Sequence, residues 1–238
     1  MPLTSSNPTN IAKNLAQIQQ NISQYCQKYG RNPNDVHLLA VSKTKPPEDI
    51  RIAFKVGQTR FGENYLQESI EKIHDLADLQ IEWHFIGAIQ SNKTRDIAEN
   101  FAWVHSVDRL KIARRLSAQR PEALPALNIC LEINISNENS KSGFSITDVE
   151  TVISEIINLP NLNLRGLMAI PAKAHTFDEQ RRVFAKMKSL FETLQAKYPH
   201  IDTLSMGMTG DMEAAIAEGS TMLRIGTAIF GARKVAEL

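Results

Sequence analysis

Residues 202–227 read DTLSMGMTGDMEAAIAEGSTMLRIGT. The apolar runs near 202–206 and 221–226 predict two strands, and the Ala-rich segment 211–218 predicts a helix between them. Two strands joined by a crossover helix lie parallel in a sheet. This stretch therefore predicts a βαβ unit, with small and polar residues directly after each strand.

The same alternation extends over the rest of the chain. Further strand-like runs fall near 37–42, 59–62, 82–87, 101–107, 128–135 and 162–170. Helical patterns separate them near 47–57, 64–78, 92–99, 109–119, 147–158 and 177–197, and a last one begins at Thr227. Eight strands, each followed by a helix, predict an α/β protein with one (β/α)8 TIM barrel domain over residues 1–238. A doubly wound open sheet is the alternative, but it usually has fewer strands and a Gly-rich first turn.

An additional helix is predicted before the first strand. Asn7-Pro8 is typical of a helix start, because proline at the first helical position loses no hydrogen bond. Apolar residues then recur at helical spacing until Gly30, namely Ile11, Leu15, Ile18, Ile22, Tyr25 and Tyr29.

Composition excludes several classes of function. The 27 Lys and Arg nearly balance the 26 Asp and Glu, so we expect no nucleic-acid partner. No apolar run reaches the roughly 18 residues of a membrane span, and residues 1–10 do not resemble a signal peptide, so we expect a cytoplasmic protein without a membrane partner. Cys26 and Cys130 lack metal-ligand spacing, which predicts buried thiols and no metal site.

Lys43 directly follows the first predicted strand, in HLLAVSKTKP (37–46). A lysine that is desolvated there has a lowered pKa, and its amine can form a Schiff base with an aldehyde such as pyridoxal phosphate (PLP). A solvated lysine at a strand end is the commoner case when the residue is taken alone. Lys45 is the alternative amine, although burial beside Pro46 is less expected.

The loops after the last two strands predict a phosphate site. Gly207 lets backbone approach an anion and Thr209 adds a hydroxyl, while Gly226 and Thr227 stand at a helix start. Barrels often bind phosphate at this location. The alternative is that the glycines only allow tight turns.

Arg224 shares one face of its strand with Met222 and would point into the barrel. A buried arginine needs a partner, which could be the pyridine nitrogen of the cofactor or, alternatively, Glu63 or Glu132. Two weaker candidates also belong to the predicted rim. Asn64 could contact the cofactor ring or cap the next helix, and His84 could be a site residue or a buried core histidine.

In combination these motifs resemble the pyridoxal phosphate homeostasis protein family. The resemblance rests on HLLAVSKTKP together with FGENYLQE (61–68), WHFIGAIQSNK (83–93), LEINIS (131–136), KSGF (141–144), RGLMAI (165–170) and residues 204–233. It implies an alanine-racemase-like barrel of fold type III, with PLP as an internal aldimine on Lys43. It also implies that the phosphate is contacted by residues 205–209, Ser205 among them, and by residues 226–227. The ring nitrogen would be contacted by Arg224. The chain departs from the family pattern in two places. Thr209 stands where the family usually has Ser, and Ala88-Ile89 stands where the family commonly has a bulkier residue followed by Leu.

The predicted role is that of a cofactor carrier. Racemases of this fold use a second base, commonly a tyrosine from an additional domain. Among Tyr25, Tyr29, Tyr65 and Tyr198, only Tyr65 falls near the rim. We therefore expect a monomer that binds PLP and supplies PLP-dependent apoenzymes without robust turnover. A PLP-dependent racemase or decarboxylase is the alternative, and a barrel that binds a phosphorylated sugar without PLP is the third.

Overall fold

The structure is a computed structural model that describes residues 8–136, 142–172 and 174–232. Lys141 and Arg233 of the quoted motifs, and Asn7 at the predicted helix start, lie outside the described residues. Parallel strands pair in chain order and the last pairs with the first, which closes the barrel and confirms the predicted fold. The strands are β1 (His37–Val41), β2 (Arg60–Glu63), β3 (Glu82–Phe85), β4 (Trp103–Val107), β5 (Leu127–Glu132), β6 (Leu162–Met168), β7 (Thr203–Ser205) and β8 (Met222–Ile225).

The helices follow the strands as predicted, with bounds that differ by a few residues. They are α1 (Pro8–Lys28), α2 (Pro47–Lys55), α3 (Leu66–Asp75), α4 (Thr94–Asn100), α5 (Leu110–Gln119), α6 (Val149–Ile156), α7 (Phe177–Lys197), α8 (Met212–Ala217) and α9 (Thr227–Phe230). Short 3₁₀ turns cover Pro33–Asp35 and Ser91–Lys93. Within the described ranges, no helix has the length and apolar character needed to cross a bilayer.

The two faces of each strand differ in chemistry. Residues that face the helices, such as Leu38, Ala40, Leu223 and Ile225, belong to the large apolar core between barrel and helices. The interior of the barrel instead contains buried polar side chains, among them His84, His105, Ser205 and Arg224. Barrel interiors are usually dominated by branched apolar residues, so these side chains mark an unusual interior.

Candidate functional site

Lys43 follows β1 at the carboxyl end of the barrel and is half-buried. The next residue, Thr44, has a φ of 62°, which is rare for a β-branched residue. Its backbone N–H donates to Glu68 Oε1 at 2.6 Å, and this contact holds the turn. The alternative amine, Lys45, donates to the carbonyl oxygens of Phe230 at 3.0 Å and Gly231 at 3.1 Å. Lys45 therefore anchors the end of α9.

A buried ion pair supports the residue before Lys43. Ser42 Oγ donates to Glu63 Oε1 at 2.6 Å, and Lys72 Nζ donates to the same oxygen at 2.9 Å. Lys72 also donates to the carbonyl oxygen of Ser42 at 2.8 Å. Burial raises the pKa of Glu63, while the charge of Lys72 opposes that shift. The network joins β1, β2 and α3, so it fixes the carboxyl end of β1 from the helix side.

Arg224 lies inside the barrel and is only 5% exposed. Its Nη1 donates to Ser205 Oγ at 2.7 Å and its Nη2 donates to the carbonyl oxygen of Ala169 at 2.9 Å. Burial lowers its pKa to about 10, so the guanidinium is charged at neutral pH. The alternative prediction of a salt bridge was wrong: Glu63 pairs with Lys72, and Glu132, which neighbours Arg224, forms no ion pair in the described part of the chain.

The loops after β7 and β8 lie at the same end of the barrel as Lys43. Gly207 has a φ of 96°, and a Cβ there would collide with Ala215 and Leu223, so the turn itself requires glycine. A Cβ on Gly226 would lie 3.0 Å from the carbonyl oxygen of Val41. Thr209 and Thr227 are exposed beside these glycines.

Asn64 follows β2 and does not cap the next helix, because the N-cap position is Tyr65. Its Oδ1 is buried and has no hydrogen-bond partner among the residues that the structure describes. A buried polar atom without a partner is costly in free energy. The Asn64 oxygen is therefore a candidate acceptor for a ligand.

Two predicted site residues lie deeper in the barrel. His84 is fully buried, and its ring nitrogens contact His105 Nε2 at 2.9 Å and Glu82 Oε1 at 3.0 Å. The structure does not bring His84 to the rim. Ser205 is also fully buried, with its hydroxyl shared between Arg224 and His105, so a phosphate contact from this stretch would fall to the loop residues that follow.

Sequence reasoning missed His105 and Glu82. Strand alternation carries a signal for both, because Glu82 lies two residues before His84 on one strand and His105 lies two residues after Trp103 on the next. The stacked rings of His84 and Trp103, 5.3 Å apart between centroids, confirm that these strands direct those side chains to the same interior.

The closed barrel has a lysine after its first strand, and residues 13–234 match the family described as alanine racemase, N-terminal domain. The class of protein is thus that of the alanine-racemase-like barrels. Alanine racemase from Corynebacterium glutamicum has a similar fold, with a TM-score of 0.71 at 17% identity over 98% of this chain and 64% of that chain.

The particular family follows from nearer relatives. The pyridoxal phosphate homeostasis protein of Escherichia coli K12 is 54% identical over 94% of this chain and 97% of its own length. PipY of Synechococcus elongatus PCC7942, solved with PLP bound, is 36% identical with a TM-score of 0.80 over 93% of this chain and all of that chain. The chain belongs to the pyridoxal phosphate homeostasis protein family.

Proposed function

We propose that this protein binds PLP covalently on Lys43 and takes part in PLP homeostasis as a carrier. The observation that carries the proposal is the position of Lys43 relative to Arg224. β1 pairs with β8, and Leu39 lies opposite Arg224. Lys43 comes after Leu39 and beyond the end of β1, so it lies closer to the carboxyl end of the barrel. Lys43 follows β1 and Arg224 lies on the neighbouring β8, which supports one site at the carboxyl end, where barrels place their chemistry.

The described residues fit the chemistry of PLP. When bound, PLP supplies an aldehyde and a pyridine ring that can withdraw electrons. Lys43 would hold PLP through its amine, which would condense with the aldehyde and release one water. The guanidinium of Arg224 uses two of its N–H groups within the barrel, which leaves others to donate to a ring nitrogen. Because the guanidinium stays charged, it would keep the ring nitrogen of PLP unprotonated, and the ring would then be a weaker electron sink.

Other residues complete the proposed site. The exposed hydroxyls of Thr209 and Thr227 and the N–H groups at the start of α9 are donors for the phosphate. Since α9 has only four residues, the proposal rests on these local donors and not on a helix dipole. Asn64 Oδ1 is the acceptor for a hydroxyl of the ligand. Phosphate contacts from Gly207 and Gly226, a backbone contact from Ser205, and any role of His84 at the ligand stay predictions.

The carrier role is favoured over a racemase or decarboxylase by the positions of the tyrosines. Tyr29 donates to Glu213 Oε1 at 2.9 Å, away from the barrel interior. Tyr25 lies on α1 and Tyr198 follows α7. Tyr65 is at the rim but 48% exposed. A two-base proton transfer needs a held group on each face of the substrate, and Lys43 is the one group that we assign to that chemistry.

Covalent binding is tested with a pair of neighbouring lysines. Wild-type protein with PLP should show a visible absorbance band that borohydride bleaches. Lys43→Ala should abolish the band, whereas Lys45→Ala, the matched control, should retain it because Lys45 binds the end of α9. A band that survives Lys43→Ala would show that another amine holds the cofactor.

Turnover separates carrier from enzyme. The PLP-loaded protein is incubated with L- and D-amino acids while chirality and carbon dioxide release are followed. The carrier proposal expects no steady multiple turnover, and sustained conversion would replace it with the enzyme. Transfer of PLP to an added apoenzyme, measured by recovery of that enzyme's activity, tests the proposed recipients.

We also propose that the protein is a monomer. A closed barrel has no free strand edge to pair with another chain. Light scattering across a range of protein concentrations should give one constant mass, and a mass that doubles with concentration would contradict the proposal.

A further inference from the structure

A chain of hydrogen bonds crosses the interior of the barrel. Its members, called the interior relay below, are Glu82, His84, His105, Ser205 and Arg224. His105 Nδ1 lies 2.9 Å from Ser205 Oγ, and His105 Nε2 lies 2.9 Å from His84 Nδ1. At one end of the chain Arg224 donates to Ser205 Oγ, and at the other end the Glu82 carboxylate contacts His84 Nε2. The relay joins residues of β3, β4, β7 and β8.

Arg224 fixes the direction of these hydrogen bonds. A guanidinium only donates, so Ser205 Oγ accepts from it and has a single proton left to donate. The His105 Nδ1 is the one remaining partner of that hydroxyl in the described structure, so this nitrogen accepts. His105 therefore carries its proton on Nε2 and donates it to His84 Nδ1.

Glu82, at the other end of the relay, requires the same direction of the hydrogen bonds. His84 accepts at Nδ1, so its proton is on Nε2, from which it donates to Glu82 Oε1. In the reverse direction, an unprotonated His84 nitrogen would face the carboxylate and the Ser205 hydroxyl would lose its acceptor. Arg224 and Glu82 thus select the same tautomer, with Nε2–H, for both histidines.

The charges around the relay agree with neutral imidazoles. Burial lowers the pKa of His84 and lowers that of His105 further. Glu82 and Arg60 face His84, and Arg224 faces His105 from the other end. Asp211 and Glu132 act electrostatically on Arg224, and neither forms an ion pair with it in the described residues. The aligned bonds polarise one another from the guanidinium to the carboxylate.

The two ends of the relay lie at opposite ends of the barrel. Glu82 begins β3 and lines a cavity of about 540 Å³ at the amino-terminal end, together with His37, Arg60 and Trp103. Arg224 lies on β8 beside the strand that leads to Lys43. The relay therefore links groups at the proposed PLP site to the far end of the barrel.

We propose that the interior relay positions the guanidinium of Arg224, and that His105 is a positioning residue for the ligand contact that this guanidinium makes. The physical reason is that His105 sets the direction of the Ser205 hydroxyl, which is the side-chain acceptor for Arg224. This inference rests on the proposed function, because it takes the ligand of Arg224 to be the ring of PLP. The tautomers, however, belong to the protein without cofactor.

The first test uses cofactor-free protein. Long-range ¹H–¹⁵N correlation spectra of protein labelled at its six histidines distinguish protonated from unprotonated ring nitrogens. His84 and His105, assigned by single substitution, should both be neutral at pH 7 with the proton on Nε2. A proton on Nδ1 of either ring, or a doubly protonated ring, would overturn the relay.

The second test uses two amides that each replace half of the imidazole. In His105→Asn, the side-chain oxygen takes about the place of Nδ1 and still accepts from Ser205. In His105→Gln, the amide nitrogen takes about the place of Nε2, so the contact with His84 remains but Ser205 loses its acceptor. We expect His105→Gln to bind PLP about tenfold more weakly than His105→Asn, the range of one hydrogen bond to a charged group, with a shifted absorbance maximum.

The matched control is Ser117→Ala, which removes a buried hydroxyl that donates to Pro160 on the outside of the barrel. It should leave PLP affinity and absorbance unchanged, while Ser205→Ala should resemble His105→Gln. Equal affinity and absorbance for the Asn and Gln variants would overturn the positioning role. Failure of the proposed function is distinct, because it appears as a band that survives Lys43→Ala, whatever the histidine tautomers are.

Discussion

Glu63 and Lys72 show how one residue pair holds the reactive end of β1. Glu63 is completely buried and Lys72 is 3% exposed, yet both are polar and both contact Ser42, the residue before Lys43. A buried ion pair is a weak source of net stability, because desolvation of the two ions offsets their attraction. Its value here is geometric, since it sets where β1 ends and thus where Lys43 begins.

Removing the cation should be strongly destabilising. Lys72→Met leaves the Glu63 carboxylate buried without its charge partner, which costs about 3–5 kcal/mol in the free energy of unfolding. Urea denaturation measures the loss. The double variant Glu63→Gln/Lys72→Met should recover part of the stability, because the carboxylate that then lacks Lys72, Glu68, is partly exposed and not fully buried. Equal destabilisation by the single and double variants would show that packing, and not charge, dominates.

At the residue scale, the sequence predicts where polar groups collect but not which of them bond to one another. Lys43, Asn64 and Arg224 could be placed at the carboxyl ends of strands from alternation alone. The contact between His105 and Ser205 joins residues from different strands that are far apart in the chain. Such pairing depends on barrel register and tilt, which a single sequence does not specify.

At the scale of elements, α1 contacts α8 and α9, the two helices that follow the proposed phosphate loops. Asn14 Nδ2 donates to the carbonyl oxygen of Ile229 on α9 at 2.9 Å. Lys28 pairs with Glu213 on α8 at 2.7 Å. The apolar stripe of α1, which includes Ile11, Ile18 and Ile22, is buried as the helical spacing predicted. The helix thus supports the site from outside the barrel.

A cavity under α1 should destabilise the whole fold. Ile22 is fully buried, so Ile22→Ala should lower the free energy of unfolding by about 2–5 kcal/mol. Thermal or urea unfolding measures this loss. The matched control, Ile157→Ala, removes the same atoms from a side chain that is 40% exposed and should have a much smaller effect. If Ile22→Ala lowers the free energy of unfolding by as little as the control does, α1 is not part of the cooperative core.

The elements were more predictable than the site for a physical reason. Strand and helix periods are local and recur in every βα unit, so errors are confined to the ends, as where α3 begins at Leu66 and not at residue 64. The interpretation of Asn64 as a possible cap failed at such an end. Caps depend on the first turn of the helix, which tertiary contacts shift by a residue or two.

At the scale of the whole molecule, the polar barrel interior links the fold to pH. Burial lowers the pKa of His84 and of His105 in the folded protein, whereas an unfolded histidine titrates near 6.5. Below that pH the unfolded chain therefore binds protons that the folded chain does not. Glu82 acts at lower pH, since the hydrogen bond from His84 lowers the pKa of this carboxyl to about 2. Its contribution is present above about 4.5 and is lost as the pH falls toward 2.

The free energy of unfolding should consequently fall in two stages on acidification. From about one pH unit below 6.5, where the unfolded histidines are almost fully protonated, the slope should approach about 1.4 kcal/mol per pH unit for each of the two interior histidines. His105→Asn should remove a substantial part of that first slope, measured by urea denaturation at closely spaced pH values, while His84 and His37, whose pKa burial also lowers, keep the rest. Cys130→Ala is the matched control, because burial raises the pKa of this interior thiol far above the range and its removal takes away no titrating group. A first slope that His105→Asn leaves intact would show that the interior histidines are not the groups that bind protons on unfolding.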